Sequence, residues 1–342
     1  VGTYTVTYDV SDANNNDAVQ VIRTVNVVDT TIPVITLTGD ATVTIEVGST
    51  YTDSGATAQD NYDGDITDDI VTVSTVDTEA VGTYTVTYDV SDANNNDAVQ
   101  VIRTVNVVDT TIPVITLTGD ATVTIEVGAT YTDAGATAQD NYDGDITSSI
   151  VTVSTVNTSI VGVYSVSYNV TDTNGNPAAE VTRTVNVVDT TIPVITLTGD
   201  ATVTIEVGTT YTDSGATAQD NYDGDITDDI VTVSTVDAST VGTYTVTYDV
   251  SDANNNDAVQ VIRTVNVVDT TIPVITLTGD ATVTIEVGST YTDSGATAQD
   301  NYDGDITDDI VTVSTVDTEA VGTYTVTYDV SDANNNDAVQ VI

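Results

Sequence analysis

A six-residue acidic motif, Asp-Asn-Tyr-Asp-Gly-Asp, contains the residues whose types and spacing could do chemistry. It occupies residues 60–65 and returns at 140–145, 220–225 and 300–305, at intervals of 80 residues. Each copy places three carboxylates around one glycine. Two unit charges about 4 Å apart repel by about 1 kcal/mol in water and by about 4 kcal/mol near a protein surface. Because every copy repeats this repulsion, the motif indicates a repeated cationic ligand.

Calcium is the predicted cation, since it takes roughly six to eight hard oxygen ligands in flexible geometry, whereas magnesium prefers to keep its waters. The spacing is not that of an EF-hand loop, which needs D-x-D-x-D-G and a distant glutamate. A solvated acidic turn, with Gly64 serving a positive φ, is the alternative interpretation. The predicted calcium ligands comprise the motif aspartates, a linker aspartate and a turn aspartate of each repeat: Asp29, Asp60, Asp63, Asp65 and Asp92; Asp109, Asp140, Asp143, Asp145 and Asp172; Asp189, Asp220, Asp223, Asp225 and Asp252; Asp269, Asp300, Asp303, Asp305 and Asp332.

The order of the predicted strands explains why the linker and turn aspartates join the motif. If the chain only jogs at Gly39-Asp40, the first two strands run in one direction and the later strands alternate. The motif and the turn at Ser91–Asp97 then return to the end at which the linker of residues 29–33 enters. If Gly39 instead begins a hairpin, this parity inverts. The predicted strands are Val34–Thr38, Val43–Val47, Tyr51–Gln59, Ile70–Val76, Gly82–Val90 and Ala98–Val108.

The whole chain repeats with this 80-residue period, so the period outweighs length as a guide to its domains. Valine, isoleucine, threonine and tyrosine dominate, and short alternating segments end at glycine, asparagine and aspartate turns. Arg103 shares the phase of the inward valines and is predicted to form an ion pair with its stem along the sandwich edge. The predicted fold is all-β, a tandem array of immunoglobulin-like β-sandwich domains of 80 residues each. The predicted domains are a C-terminal part at 1–28, full repeats at 29–108, 109–188 and 189–268, and a repeat at 269–342 that lacks the end of its last strand.

The composition excludes several functional classes. Lysine and arginine number 4 against 53 aspartates and glutamates, for a net charge of -49, which opposes binding to nucleic acid. Without cysteine or histidine the chain cannot form disulfides, thiolate or imidazole metal sites, or the usual nucleophilic triads. No apolar run approaches the roughly 20 residues of a membrane helix, so no membrane insertion is predicted in this segment. A salt-dependent halophilic fold is the rival explanation of the acidity.

The residues of each repeat also resemble a known family. The matching runs are Pro33-Val-Ile-Thr-Leu-Thr-Gly-Asp40, Glu46-Val-Gly-Ser-Thr-Tyr-Thr-Asp53, Gly55-Ala-Thr-Ala-Gln-Asp60 and Val81-Gly-Thr-Tyr-Thr-Val-Thr-Tyr-Asp-Val-Ser-Asp92. They are similar to the bacterial immunoglobulin-like domain named from a pesticidal crystal protein, a relative of hyalin-repeat domains. The resemblance covers every repeat and implies tandem modules of large secreted or surface proteins, including adhesins, with no catalytic residues.

These features together predict a non-catalytic structural protein, an extracellular or cell-surface rod or filament. Calcium at the domain junctions is predicted to stiffen a surface fibre or adhesin stalk. The expected partners are neighbouring repeats of the same chain, identical chains in a filament, and a glycan or surface ligand elsewhere in the parent protein. The alternative function is a glycan- or surface-binding adhesive module. An enzyme has little support, because paired aspartates on a turn come with no substrate pocket in the sequence pattern.

Overall fold

The protein, described over residues 1–342 by a computed structural model, consists of β-strands joined by turns and single short 3-10 turns. It divides into two compact units, Val1–Val187 and Val188–Ile342. Within both units the same arrangement of strands recurs with the 80-residue period. The predicted all-β fold of tandem Ig-like repeats is thereby confirmed. The repeat of residues 29–108 represents the others.

One sheet of this repeat has three strands, in the order Val34–Leu37, Ala56–Asp60 and Gly64–Asp65. All neighbours are antiparallel, and Ile35 lies opposite Ala58 in the register. Both of these side chains face the second sheet and are buried. The sheet therefore leads directly into the acidic motif at its last two strands.

The other sheet has four strands, in the order Thr42–Glu46, Val101–Val108, Gly82–Asp89 and Val71–Ser74. The first two of these are parallel, and the remaining neighbours are antiparallel. Gly39, at a φ of 85°, lets the chain cross from one sheet to the other without forming a hairpin. The jog predicted at this glycine is observed, so the first two strands of the repeat belong to different sheets.

The core fills the space between the two sheets. Val86, Tyr88 and Val105 have no exposed surface, and the alternating residues of the same strands face solvent. This is the pattern that strict alternation of apolar and polar residues dictates in a strand with one buried face. Gly82–Asp89 reproduces the predicted strand almost completely for this reason.

Arg103 lies in this core with 1% of its surface exposed. Its guanidinium pairs with Asp53 and donates to Tyr88 Oη at 3.0 Å and to the carbonyl oxygen of Gly55 at 3.1 Å. The predicted ion pair is present, but the side chain occupies the interior rather than the sandwich edge. The same pairs form at Arg183 with Asp133 and at Arg263 with Asp213.

Two predicted strands begin several residues later than expected. The strand expected over Tyr51–Gln59 starts at Ala56, because the residues before it fold around the Arg103 guanidinium instead of pairing with a sheet. The strand expected over Ala98–Val108 starts at Val101, and Val99 before it is 72% exposed. Both differences leave the sandwich topology unchanged.

The next two repeats have the same sheets. In residues 109–188 the strands are Val114–Leu117, Ala136–Asp140 and Gly144–Asp145, then Thr122–Glu126, Val181–Val188, Gly162–Asn169 and Val151–Ser154. In residues 189–268 they are Val194–Leu197, Ala216–Asp220 and Gly224–Asp225, then Thr202–Glu206, Val261–Val268, Gly242–Asp249 and Val231–Ser234. The 3-10 turns are Thr67–Asp69, Thr147–Ser149, Thr227–Asp229 and Thr307–Asp309.

The two ends of the chain carry fewer strands. Residues 1–28 form one hairpin of Gly2–Tyr8 and Val21–Val27. In residues 269–342 the strands are Val274–Leu277 paired with Ala296–Gln299, and Val311–Ser314 paired with Val326–Asp329. The counterpart of Thr42–Glu46 forms no strand there.

Candidate metal centre

The acidic motif folds into a tight turn between two antiparallel strands. Asp60 Oδ2 accepts hydrogen bonds from the backbone N–H of Tyr62 at 2.6 Å and of Asp63 at 3.0 Å. Gly64 closes the turn at a φ of 79°, which a glycine adopts without strain. The second oxygen, Asp60 Oδ1, is buried and accepts no hydrogen bond. The backbone thus fixes the carboxylate through one oxygen and leaves the other without a partner.

A second turn, at residues 91–97, presents Asp92 in a similar way. Its Oδ1 accepts the backbone N–H of Asn94 at 2.8 Å and of Asn96 at 2.7 Å, while Oδ2 accepts the Asn96 side-chain amide at 2.7 Å. Burial alone would raise the pKa of Asp92, but these hydrogen bonds outweigh it and lower that pKa. The Asn96 amide also donates to the carbonyl oxygen of Asp29 at 3.2 Å, so the turn is tied to the linker.

The linker, the motif and the turn meet at one end of the repeat. One carboxylate oxygen from each of Asp29, Asp60, Asp63 and Asp92 lies within 4.8 Å of the others. Asp63 Oδ2 accepts the backbone N–H of Ala93 at 3.0 Å, which joins the motif to the turn. This convergence is the arrangement that the strand parity predicts.

Two further repeats assemble the same four carboxylates, and one assembles three. The groups are Asp189, Asp220, Asp223 and Asp252; Asp269, Asp300, Asp303 and Asp332; and Asp109, Asp140 and Asp172. In the group of three, Asp143 lies outside because both of its oxygens accept hydrogen bonds from Thr173. Each group lies within a single repeat, including the linker aspartate that leads into it.

Asp65 does not join the group. Its Oδ1 accepts the backbone N–H of Thr67 at 3.0 Å, which starts the 3-10 turn, and hydrogen bonds from Thr67 lower its pKa. Its counterparts Asp145, Asp225 and Asp305 make the same bond to Thr147, Thr227 and Thr307. These four aspartates therefore have a local role in the turn and stand outside the carboxylate groups.

The converging carboxylates disfavour their own negative charge. Burial raises the pKa of Asp109, and the charges of Asp140 and Asp172 raise it further. Burial likewise raises the pKa of Asp269, with Asp300 adding to the effect. An uncompensated anionic group in partial burial is the condition in which a cation binds favourably.

The donor set fits a calcium ion. It contains oxygen atoms alone, and two of them in the repeat 29–108, Asp29 Oδ2 and Asp60 Oδ1, are buried without a hydrogen-bond donor. The arginine of the repeat pairs with Asp53 and supplies no charge to the group. Buried carboxylates need a charged partner or a metal ion, and hard oxygen donors in this number suit calcium.

A glutamate that the sequence interpretation missed holds the next linker. Glu46 accepts the backbone N–H and the hydroxyl of Thr110 at 2.9 and 2.7 Å, and those of Thr111 at 3.1 and 2.8 Å. These bonds lower its pKa to about 2, the Thr110 backbone contributing most. Glu206 holds Thr270 and Thr271 in the same way. Glu46 could have been noticed because it lies at the end of a predicted strand. That strand pairs with the last strand of the repeat, so Glu46 lies opposite Val108, directly before the linker.

The motif tyrosine also reaches the preceding repeat. Tyr142 Oη accepts the backbone N–H of Val81 at 3.5 Å, and Tyr302 Oη accepts that of Val241 at 3.3 Å. Each of these pairs lies within one compact unit. In repeats 109–188 and 269–342 the linker end thus contacts the preceding repeat through a tyrosine as well as through the threonines that the glutamate binds.

A comparison with protein families identifies these repeats. The model described as bacterial surface protein, Ig-like domain, matches residues 35–107, 115–187, 195–267 and 275–341. The chain belongs to this family. The bacterial surface Ig-like domains account for four tandem units, and the resemblance seen in the sequence is confirmed.

Curated relatives of these bacterial surface Ig-like domains include two proteins named hyalin. That of Strongylocentrotus purpuratus is 32% identical over 99% of this chain and 30% of its own length, and that of Lytechinus variegatus is 34% identical over 87% and 59%. The pesticidal crystal protein Cry22Aa of Bacillus thuringiensis is 31% identical over 85% of this chain and 41% of its own length. The chain therefore spans less than two thirds of the length of each of these relatives.

None of the helical segments is of a length and apolarity that would cross a membrane.

Proposed function

We propose that the chain is a structural, non-catalytic part of an extracellular or cell-surface rod or filament whose joints are stiffened by calcium. The observation that carries the proposal is the group of carboxylates at the linker end of each repeat, in which buried oxygens lack a hydrogen-bond donor. The surface-protein family and the tandem repeats support a fibre or an adhesin stalk. The converging aspartates are held by backbone N–H groups and face one another, which favours a structural role over catalysis.

Asp29, Asp60, Asp63 and Asp92 would hold the ion in the first full repeat. When bound, calcium supplies the positive charge that the four carboxylates lack. Asp29 belongs to the linker, and the other three belong to turns of the sandwich, so ion binding would fasten the linker to the repeat that follows it. Without the ion, repulsion between these carboxylates would weaken the same attachment.

The preceding repeat holds the other side of the linker. Glu46 binds Thr110 and Thr111, which directly follow Asp109 of the next carboxylate group. The linker of residues 109–113 would then be fixed to one repeat by hydrogen bonds and to the other by the ion. In this way occupancy of the site would set the stiffness of the joint between the two repeats.

Removal and return of calcium tests this function. The purified protein is measured for metal content, stripped with a chelator, and reloaded, with small-angle scattering and thermal unfolding recorded at each stage. We expect the stripped protein to show a smaller maximum dimension and a lower melting temperature, and reloading to reverse both. An unchanged maximum dimension and melting temperature after complete stripping would overturn the role of calcium.

A further inference from the structure

The repeat of residues 109–188 holds its motif differently from the other three. In those three, the second motif aspartate accepts one hydrogen bond, from the backbone N–H of Ala93, Ala253 or Ala333. In residues 109–188 a threonine replaces the alanine. Thr173 donates its backbone N–H to Asp143 Oδ2 at 2.7 Å and its hydroxyl to Asp143 Oδ1 at 2.6 Å.

The threonine hydroxyl removes Asp143 from the carboxylate group. With both oxygens accepting hydrogen bonds, this carboxylate stands outside the set of three formed by Asp109, Asp140 and Asp172. That set still has buried oxygens without a donor, Asp109 Oδ2 and Asp140 Oδ1, on side chains 6% and 9% exposed. A cation there would have three carboxylates, or would have to break the Thr173 hydroxyl bond to gain the fourth.

The surroundings of this group are also less negative. Ser148 and Ser149 stand where the other repeats have two aspartates next to the motif, as at Asp68 and Asp69. Calcium affinity follows the number of charged ligands, which Thr173 reduces, and the charge of the surroundings, which the serines make less negative, so both differences weaken the site. We propose that Thr173 makes the 109–188 repeat the weakest of the four calcium sites, the last to fill and the first to empty. This rests on the proposed calcium-binding function.

The consequence is a graded response along the chain. As calcium falls, the linker that begins at Asp109 would loosen before the linkers that begin at Asp29 and Asp269. Altering a residue that hydrogen-bonds to a metal ligand typically changes the metal affinity by about 10- to 100-fold. A difference of that size separates this site from the others in a titration.

Calcium titration of the full chain by isothermal calorimetry tests the proposal, with three variants at this position of the repeat. The wild type is expected to show three tighter sites and one site weaker by about 10- to 100-fold. Thr173→Ala, which restores the residue of the other repeats, should move the weak site towards the tight class. Thr173→Ser retains the hydroxyl and should leave the calcium affinity of this site low. Ala93→Thr should convert one tight site to a weak one.

The outcomes separate this inference from the proposed function. Four equal sites in the wild type, or no change of the weak class in Thr173→Ala, would overturn the role of Thr173 while leaving calcium binding intact. Absence of calcium binding in the wild type and in every variant would overturn the proposed function itself. The alanine and threonine variants each reproduce a pairing present elsewhere in the chain, so folding is preserved, and circular dichroism checks it.

Discussion

Arg103 is the residue on which the interior of a repeat depends most. It fills the core with a charged side chain whose donors are taken by Asp53, Tyr88 and backbone carbonyls. The phase of the strand indicated an inward side chain and an ion pair. The position in the core could not be predicted, because most of the acceptors lie in two segments, 38–40 and 53–55, that belong to no strand.

Loss of this arginine should unfold one repeat locally. Arg103→Met leaves Asp53 and several carbonyls without their donor, and breaking a buried ion pair costs about 3–5 kcal/mol. We expect the low end of that range because Asp53 is one quarter exposed. Hydrogen exchange at the Tyr88 amide measures the change. Ile102→Met, at an exposed position of the same strand, is the control, and equal effects of the two variants would contradict the proposed role.

Glu46 gives a pH-dependent contact between repeats. Its pKa falls to about 2 from a usual value of 4.5 because the folded state donates hydrogen bonds to the charged form. The contact is therefore complete above about pH 4.5 and is lost as the pH falls towards 2. Glu46→Gln should speed exchange of the Thr110 and Thr111 amides at neutral pH and remove its acid dependence in this interval. Glu286→Gln, at a glutamate outside this contact, should leave those amides unchanged, and protection that survives Glu46→Gln would rule out the contact.

At the scale of elements, the alternation of apolar and polar residues and the order of strand directions explain which strands and which meeting of aspartates could be predicted. Gly82–Asp89 alternates without interruption, and its strand matched the expectation closely. The jog at Gly39 gave the strand directions, and with them the meeting of linker, motif and turn. Asp65 could not be separated from the other motif aspartates, because its bond to Thr67 depends on a 3-10 turn with no periodic signal. The effect of Thr173 on Asp143 could not be predicted either, because it depends on a single side-chain hydroxyl that leaves no pattern in the sequence.

The strand that begins each four-stranded sheet depends on the strand that ends the repeat. Thr42–Glu46 pairs in parallel with Val101–Val108, whereas the same residues of the last repeat form no strand. Val283 and Ile285 are exposed there by 56% and 39%, and their counterparts in the first full repeat are half-buried. Parallel pairing between residues this far apart in sequence cannot form until both partners are present.

At the scale of the whole molecule, a net charge of -49 opposes compaction, and two explanations of its tolerance compete. General screening by salt acts on all exposed carboxylates, over a Debye length of about 10 Å at 0.1 M. A bound ion acts where carboxylate oxygens lie within 4.8 Å of one another and are buried from solvent. Screening hardly reaches such groups, so the two explanations predict different responses to sodium and calcium.

Calcium should stabilise the protein more than sodium at equal ionic strength, because only calcium fills the carboxylate groups. Saturation with calcium at about 100 times the dissociation constant contributes about 2.7 kcal/mol per site to the free energy of unfolding.

Thermal unfolding measures the difference between calcium and sodium in three proteins: the wild type, a site variant and a matched control. In the site variant, Asp60, Asp140, Asp220 and Asp300 are changed to asparagine, which keeps one oxygen for the backbone bonds and removes the charge. The matched control changes Asp40, Asp120, Asp200 and Asp280, exposed residues outside the groups, to asparagine. The site variant should lose the calcium response and the control should keep it, while sodium affects both variants equally. Full replacement of calcium by sodium in the wild type would instead favour a salt-dependent acidic fold.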